Sequence, residues 1–286
     1  MNRRDFLLQL SATVPAVTAL SGFPWDGDEA LCKKKFAVAV SLSLREKPIN
    51  DVIVAMGKTF LGTDYLAHAL EVPGEERLVV NMSGLDCVSF YENALVLARC
   101  IKMNSTTFDN YKRQLQLIRY RGGVINGYLS RLHYTTDYIV DNERKGVWKD
   151  VTGEIGGVPY VKTINFMSTH PESYRQLKEN PPLVEGIKEL EEEISARKKF
   201  YIPKDRVRDL QGKIRSGDIL GITTDIDGLD TSHTGIAVRE NDELRLMHAP
   251  IAGSQVRITE KILPDYLASN KRQTGIIVAR ALEPQI

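Results

Sequence analysis

Cysteine and histidine are the side chains best suited to nucleophilic chemistry, and this sequence has 3 cysteines and 5 histidines. Cys87 directly follows Asp86 in the segment SGLDCVSF, where a turn opens into a run with helical spacing. A thiol attacks as its thiolate, which forms more readily beside a histidine or at a helix N-terminus. The first N–H groups of a helix have no partners inside it, so they can also hold an oxyanion. Cys87 is therefore a candidate nucleophile, and Asp86 is either a helix cap or a group that holds a substrate amine.

Two histidines lie at the ends of short apolar runs in the last third of the chain. His233 opens HTGIAVRE, and His248 closes LRLMHAP. If a turn over Glu240 to Glu243 joins these runs as neighbouring antiparallel strands, both imidazoles lie at the same end of the sheet. His233 could then take the Cys87 proton while His248 orients it. The alternative is that Cys87 is a small core residue and each histidine is a satisfied polar group at a strand end.

The surrounding pattern predicts helices first and strands last, which is an α+β order. We expect helices over 49–61, 86–101 and 108–120, a charged and solvated helix within 181–203, and a short strand at 78–80. Runs rich in Ile, Val, Leu and Thr after residue 215 indicate an antiparallel sheet. The segment with Tyr134 and Tyr138 is interpreted as a loop or short helix.

These motifs, in this order, resemble the NlpC-like cell-wall cysteine hydrolases, which have a papain-like fold. The matching elements are Asp-Cys at a helix start, Ser-Gly-Asp-Ile-Leu, His-Thr-Gly-Ile-Ala-Val and Met-His-Ala-Pro. The resemblance implies that Cys87 attacks, that His233 is the base and that His248 orients it. The segment Leu-Gly-Thr-Asp-Tyr is similar to one whose tyrosine lines the site in this family, which implies that role for Tyr65.

One branch of the family resembles the chain more closely, from about residue 50 to residue 282. The segments LGTDYLAHALE, EERLVVNMSGLDCVSFYENALVLA and RLHYTTDY are similar to exported proteins described as N-acetylmuramoyl-L-alanine amidases. This implies cleavage of the amide between N-acetylmuramic acid and L-Ala in muropeptides, without a cofactor. The chain departs from the commoner Asp-Cys-Ser-Gly-Phe pattern and has an elaborated middle region at about 124–210, so the scissile bond is less defined than the chemistry.

Further residues are candidates for binding the substrate or the oxyanion. Ser89 lies next to the candidate nucleophile along the chain, and Arg131 could hold a peptide carboxylate as a bidentate fork or serve as a structural arginine. Other side chains could line the cleft but also suit the core or a loop: His68, His133, Tyr134, Tyr138 and Trp148.

Charge and composition exclude several classes of function. The chain has 286 residues, 42% hydrophobic and 26% charged, with a net charge of +1, which suits a globular protein with no general attraction to nucleic acid. Residues 1–25 form a basic and then apolar segment typical of an export signal, and Arg3-Arg4 leaves the twin-arginine type open. We therefore expect one domain over 26–286, located in the periplasm and not inserted in the membrane once the signal is removed.

Export also bears on the cysteines, because an oxidising compartment favours disulfides. If Cys32 and Cys100 pair, Cys87 is the free thiol; alternatively Cys100 is a small buried residue. Three other functions remain open: a γ-D-glutamyl-L-diamino acid endopeptidase, a zinc amidase and a non-catalytic envelope-binding protein. The sequence has no His-Glu-x-x-His motif or similarly close ligand spacing, which disfavours zinc.

Overall fold

The computed structural model describes residues 26–251 and 254–285. The predicted export signal at 1–25 lies outside the described residues. The helices are α1 (Asp26–Ser41), α2 (Ile49–Lys58), α3 (Cys87–Lys102), α4 (Phe108–Arg119), α5 (Thr135–Arg144), α6 (Thr152–Ile155), α7 (Phe166–Thr169), α8 (Arg175–Glu179), α9 (Leu183–Ala196), α10 (Val207–Leu210) and α11 (Leu263–Ala268). Single 3₁₀ turns lie at Leu44–Glu46, Arg121–Gly123, Tyr128–Ser130, Pro171–Ser173 and Gln211–Lys213.

The strands are β1 (Asp64–Tyr65), β2 (Gly84–Leu85), β3 (Trp148–Asp150), β4 (Val158–Pro159), β5 (Phe200–Pro203), β6 (Ile219–Thr224), β7 (Thr231–Glu240), β8 (Glu243–His248), β9 (Arg257–Ile258) and β10 (Gln273–Ala281). The large sheet has the order β4-β5-β10-β6-β7-β8-β9, with β3 also paired to β10, and its pairs are antiparallel. The small β1–β2 pair is parallel. The predicted α+β class is confirmed at this level.

Alternating side chains on the large sheet separate two hydrophobic cores. In β10, Ile277 faces the core shared with the long helices α1 to α5, while Ile276 and Val278 face the core covered by α6, α10 and α11. This is the period of two expected of strands buried on both faces. A third cluster lies within the middle region, among α7, α8 and α9 and the turn at Tyr128–Ser130.

The hairpin that joins β7 to β8 forms where the sequence predicts a turn. Asn241 and Asp242 have φ of 50° and 65°, the left-handed conformation that two-residue hairpin turns require. The register pairs Glu240 with Glu243 and Ile236 with Met247. His248 therefore lies across from Gly235, two residues from His233, and both histidines lie at the same end of the sheet.

Two local predictions are wrong. Residues 78–80 do not form a strand; the carbonyl of Val79 accepts a hydrogen bond from the Arg119 side chain rather than from a neighbouring strand. The helix α9 is not solvated throughout. Its Glu191 is 1% exposed and accepts hydrogen bonds from the Tyr134 hydroxyl and the Met167 amide, so one side of the helix is buried by the third cluster.

Candidate active site

Cys87 is the first residue of α3, and its position follows from a capping box. The Asp86 carboxylate accepts hydrogen bonds from the amides of Val88 and Ser89, at 3.1 and 2.7 Å, and from the Ser89 hydroxyl. The Ser89 hydroxyl accepts in turn from the Asp86 amide at 2.9 Å. These bonds satisfy the Val88 and Ser89 amides at the helix end and hold Cys87 where the helix begins.

This geometry corrects the interpretation of Ser89 as a group that binds the oxyanion or substrate. Ser89 is 1% exposed, and both its hydrogen-bonding roles are taken by Asp86. Of the two roles left open by the sequence, Asp86 has that of the cap, since one of its oxygens caps α3. Asp86 also lines a cavity beside the helix. Burial raises the pKa of the Asp86 carboxyl, while the bonds from Ser89 lower it.

The Cys87 side chain is half-buried between the start of α3 and the strand β7. Its carbonyl accepts a 2.9 Å hydrogen bond from the Thr234 hydroxyl, which ties the helix to the strand residue next to His233. Burial and the Asp86 carboxylate raise the pKa of the Cys87 thiol to about 11, and hydrogen bonds from Thr234 and from the Cys87 amide oppose this rise. At neutral pH the group is a thiol, so attack requires a base that removes its proton.

His233 and His248 are in direct contact, as their positions on the strands predict. His233 Nε2 lies 2.7 Å from His248 Nδ1, and the rings are nearly perpendicular with centroids 5.0 Å apart. Gly235 makes room for this contact, since a Cβ there would lie 3.1 Å from the His248 Cβ and closer still to Leu246. Among the described residues neither imidazole is hydrogen-bonded to the Cys87 sulfur.

Both imidazoles are held in their neutral form. Burial lowers the pKa of His233 to about 4. Burial, together with the nearby His233 and Arg257, lowers the pKa of His248 to about 3. A neutral imidazole can accept a proton, so the pair has the protonation state that a general base needs at neutral pH.

Tyr65 reaches this site from the small parallel sheet. Its pairing with Leu85 places it beside the Asp86-Cys87 pair, and its amide donates to the Ser254 carbonyl at 3.0 Å. Burial raises the pKa of the Tyr65 hydroxyl above its usual range, and the charges of Cys87 and Asp86 raise it further. The hydroxyl is therefore a proton donor at neutral pH, close to both residues.

A cavity of about 270 Å³ opens beside Asp86 and Tyr65. Among its wall residues are the candidates His68, Arg131, His133, Tyr134 and Tyr138. Tyr138 and Trp148 are 3% and 2% exposed and pack together in the core, so Trp148 does not form a wall for the ligand. His133 Nε2 donates to the Tyr128 carbonyl at 3.1 Å, and burial lowers the pKa of His133 to about 3.

Arg131 is not a free fork. It is 3% exposed, it donates to the Leu70 carbonyl at 2.8 Å and to Glu71 Oε1 at 2.7 Å, and its Nε lies 3.7 Å from Glu76. The guanidinium also packs over the Tyr128 ring. Two of its nitrogens are thus occupied by the loop between β1 and β2, which leaves no bidentate face for a substrate carboxylate.

Tyr266 is a site residue that the sequence analysis missed. It lies on α11, and its ring is nearly perpendicular to the His248 ring with centroids 5.5 Å apart. Burial raises the pKa of its hydroxyl, and the charge of Cys87 adds to that rise. His248 Nε2, on the ring that Tyr266 covers, is buried and has no hydrogen-bond partner among the described residues. An isolated tyrosine in a short helix gives no sequence signal of this contact.

The other two cysteines are core residues. Cys32 and Cys100 are fully buried in the core, neither forms a disulfide, and burial raises the pKa of each thiol to about 12. In the described part of the chain no three His, Cys, Asp or Glu side chains are grouped to hold a metal ion. Across residues 26–251 and 254–285, no helix has the length and apolar character of a membrane span.

Comparison with known proteins places the chain among amidase-like proteins. A family model described as AmiA-like, N-acetylmuramoyl-L-alanine amidase-like, matches residues 55–276. A crystal structure of an N-acetylmuramoyl-L-alanine amidase from Bacteroides uniformis is similar to the chain with a TM-score of 0.78 and 36% identity, covering 82% of this chain and 99% of that one. A search of curated protein sequences found no match.

Two further structures share the fold. A Bacteroides fragilis protein described provisionally as a xylanase has a TM-score of 0.75 and 38% identity, covering 79% of this chain and 99% of that one. A Legionella pneumophila protein, LPG0564 of family DUF1460, has a TM-score of 0.67 at 22% identity, covering 89% and 95%, and shows similarity of fold alone.

Proposed function

We propose that this chain, which belongs to the N-acetylmuramoyl-L-alanine amidase-like family, is a papain-like cysteine hydrolase of peptidoglycan fragments. The bond that it cleaves is the amide between the lactyl group of N-acetylmuramic acid and L-Ala. The observation that carries the proposal is the meeting of α3 with β7. Thr234 bonds to the Cys87 carbonyl at 2.9 Å, and the neighbouring His233 bonds to His248 at 2.7 Å.

In the acylation step, the Cys87 sulfur adds to the lactyl carbonyl carbon while its proton passes to His233. The oxyanion is stabilised by the Cys87 amide and the Tyr65 hydroxyl, two donors at the place where negative charge develops. The C–N bond then breaks, and His233 returns the proton to the L-Ala nitrogen. The products of this step are a free stem peptide and a muramyl thioester on Cys87.

In the second step, His233 removes a proton from water as the water adds to the thioester carbonyl. The C–S bond breaks, the muramyl carboxylic acid leaves, and His233 returns the proton to the Cys87 thiolate, which regenerates the thiol and the neutral imidazole. His248 holds the His233 ring in place through their hydrogen bond, so His248 is a positioning residue. Because both imidazoles rest in the neutral form, His233 is ready to accept a proton at the start of each step.

The scissile bond is tested by incubating the protein with a disaccharide-tetrapeptide and determining product masses. We expect an intact tetrapeptide and a free disaccharide. Release of a dipeptide would show instead that the γ-D-glutamyl bond is cut and would overturn the amidase assignment.

The same assay separates the cysteine mechanism from a zinc mechanism, since zinc enzymes also attack this bond. A strong chelator should leave the rate unchanged, because no step uses a metal. Loss of activity on chelation, with recovery when zinc is added back, would contradict the proposal.

A further inference from the structure

The wall of the cavity beside Asp86 includes atoms of charged side chains that have no hydrogen-bond partner among the described residues. Glu71 Oε1 pairs with Arg131, but Glu71 Oε2 is buried and has no hydrogen-bond partner among the described residues. Arg131 Nε is likewise buried and without a hydrogen bond. An unpaired buried polar atom is costly, most of all on a charged group, and a cavity wall is where a ligand could satisfy it.

The loop between β1 and β2 is fixed in place, so these atoms do not result from a loose segment. Arg131 donates to the Leu70 carbonyl at 2.8 Å, and the Tyr120 hydroxyl has two acceptors within hydrogen-bond distance, Glu76 Oε1 at 2.7 Å and the Arg77 carbonyl at 2.9 Å. The backbone around Glu71 is therefore held by hydrogen bonds both before it, at Leu70, and after it, at Arg77.

The charges around the cavity favour a cation. Arg131 lies between the carboxylates of Glu71 and Glu76, and Asp86 adds a third acidic group on the same wall. His133 contributes no positive charge at neutral pH, since its pKa is lowered to about 3. Burial raises the pKa of the Glu71 carboxyl, and Arg131 and, to a smaller extent, His68 on the same wall oppose this rise.

The size and chemistry of the space narrow the ligand further. A volume of about 270 Å³ is at the lower end for ligand pockets, so it suits one side chain of a larger substrate rather than a whole molecule. A primary ammonium offers three donors and no acceptor, which matches the open carboxylate oxygen of Glu71. Tyr174 on the same wall adds an aromatic ring that can attract a cation.

Resting on the proposed function, we infer that this cavity binds the free ammonium group of the diamino acid in the stem peptide, with Glu71 as its partner. Asp86 and Tyr65, which lie beside Cys87, line this cavity, so a stem peptide whose side chain enters it would extend from there toward the nucleophile. Glu71 is thus a specificity-determining residue that distinguishes stem peptides by their free amine.

The experiment compares two substrates and three proteins. The substrates are a disaccharide-tetrapeptide with a free amine on its diamino acid and the same compound with that amine acetylated. The proteins are wild type, Glu71→Gln and the control Glu75→Gln, which alters an exposed glutamate of the same loop. We expect acetylation to lower kcat/KM by roughly tenfold in wild type and Glu75→Gln, and by less than about twofold in Glu71→Gln.

The outcomes are separable. If acetylation acted only through its added bulk, it would lower kcat/KM by the same factor in all three proteins, and that result would overturn the inference. A structural defect in Glu71→Gln would lower kcat/KM for both substrates by the same factor and would leave the effect of acetylation unchanged. Wild type that hydrolyses both substrates equally would overturn it without any variant. Wild type that hydrolyses neither substrate would instead contradict the proposed function.

Discussion

Two buried Glu–Arg pairs in this protein differ in how completely they are satisfied. Beneath α3, Glu92 is 0% exposed, both its oxygens accept from Arg119, and the Tyr138 hydroxyl donates to it as well. On the cavity wall, Glu71 contacts Arg131 through one oxygen, and its side chain is 18% exposed. The first pair leaves no charge uncompensated, whereas the second leaves Glu71 Oε2 without a hydrogen bond, and Arg131 Nε has only the 3.7 Å ion pair with Glu76.

This difference in pairing distinguishes the Glu92–Arg119 pair, which joins structural elements, from the Glu71–Arg131 pair, which leaves an oxygen available to a ligand. Arg119 also donates to the Val79 carbonyl, so the Glu92 pair joins α3, α4 and the chain leading to the nucleophile. Full pairing suits that structural task, since an unpaired charge in the core would cost several kcal/mol. At the cleft, His248 Nε2 also lacks a partner among the described residues, as do Arg99 Nη1 and Asn142 Oδ1 away from it.

The largest expected effect is on stability, when the glutamate of each pair is replaced by glutamine. Glu92→Gln leaves Arg119 buried without a counter-charge, so we expect a loss of about 3 to 5 kcal/mol in the free energy of unfolding. Glu71→Gln should cost about 1 kcal/mol, because Glu71 is partly solvated and Arg131 retains Glu76 nearby. Urea unfolding measures both, and equal losses would break the comparison.

The cleft histidines should respond to pH in a way that the core pair does not. With the pKa of His233 at about 4, its neutral form persists as the pH falls below the usual histidine range. We expect kcat/KM at pH 5.5 to stay close to its neutral value, whereas an ordinary histidine would lose about tenfold.

That profile should be recorded with circular dichroism at each pH to confirm that the protein stays folded. An acid limb centred near 6.5 would show that His233 titrates like a surface residue, contrary to its lowered pKa.

The smallest effect is expected at the cap of α3. Ser89→Ala removes the hydroxyl that bonds to the Asp86 carboxylate and amide, which should cost about 1 kcal/mol of stability. Activity should change less than threefold, because Ser89 does not face the cleft. Ser83→Ala, an exposed serine just before the cap, is the matched control. A tenfold loss of kcat/KM with stability retained would restore Ser89 as a substrate-binding residue.

Local patterns predicted the parts of the site that depend on neighbours in sequence. The start of α3 follows from the Asp86 cap and the apolar period of the next residues, and the meeting of His233 and His248 follows from two strands joined by a tight turn. Each of these needs only a few consecutive residues to specify it.

Contacts between distant segments could not be predicted in this way. Arg131 pairs with a glutamate 60 residues earlier in the chain. No local pattern indicates this pairing, so the sequence also allowed an arginine free to bind a substrate carboxylate. Tyr266 meets His248 only because α11 folds back onto the end of β8. Glu191 looked solvated because the hydroxyl and amides that bury it come from other segments.

The most direct test of the central claim is to alkylate the native protein with iodoacetamide and compare the extent of labelling at each cysteine with the remaining amidase activity. Cys87 is half-buried at the cleft, while Cys32 and Cys100 are 0% exposed. We predict that label enters Cys87 first and that activity falls in direct proportion to it. Full modification of Cys87 with activity retained would contradict its role as the nucleophile.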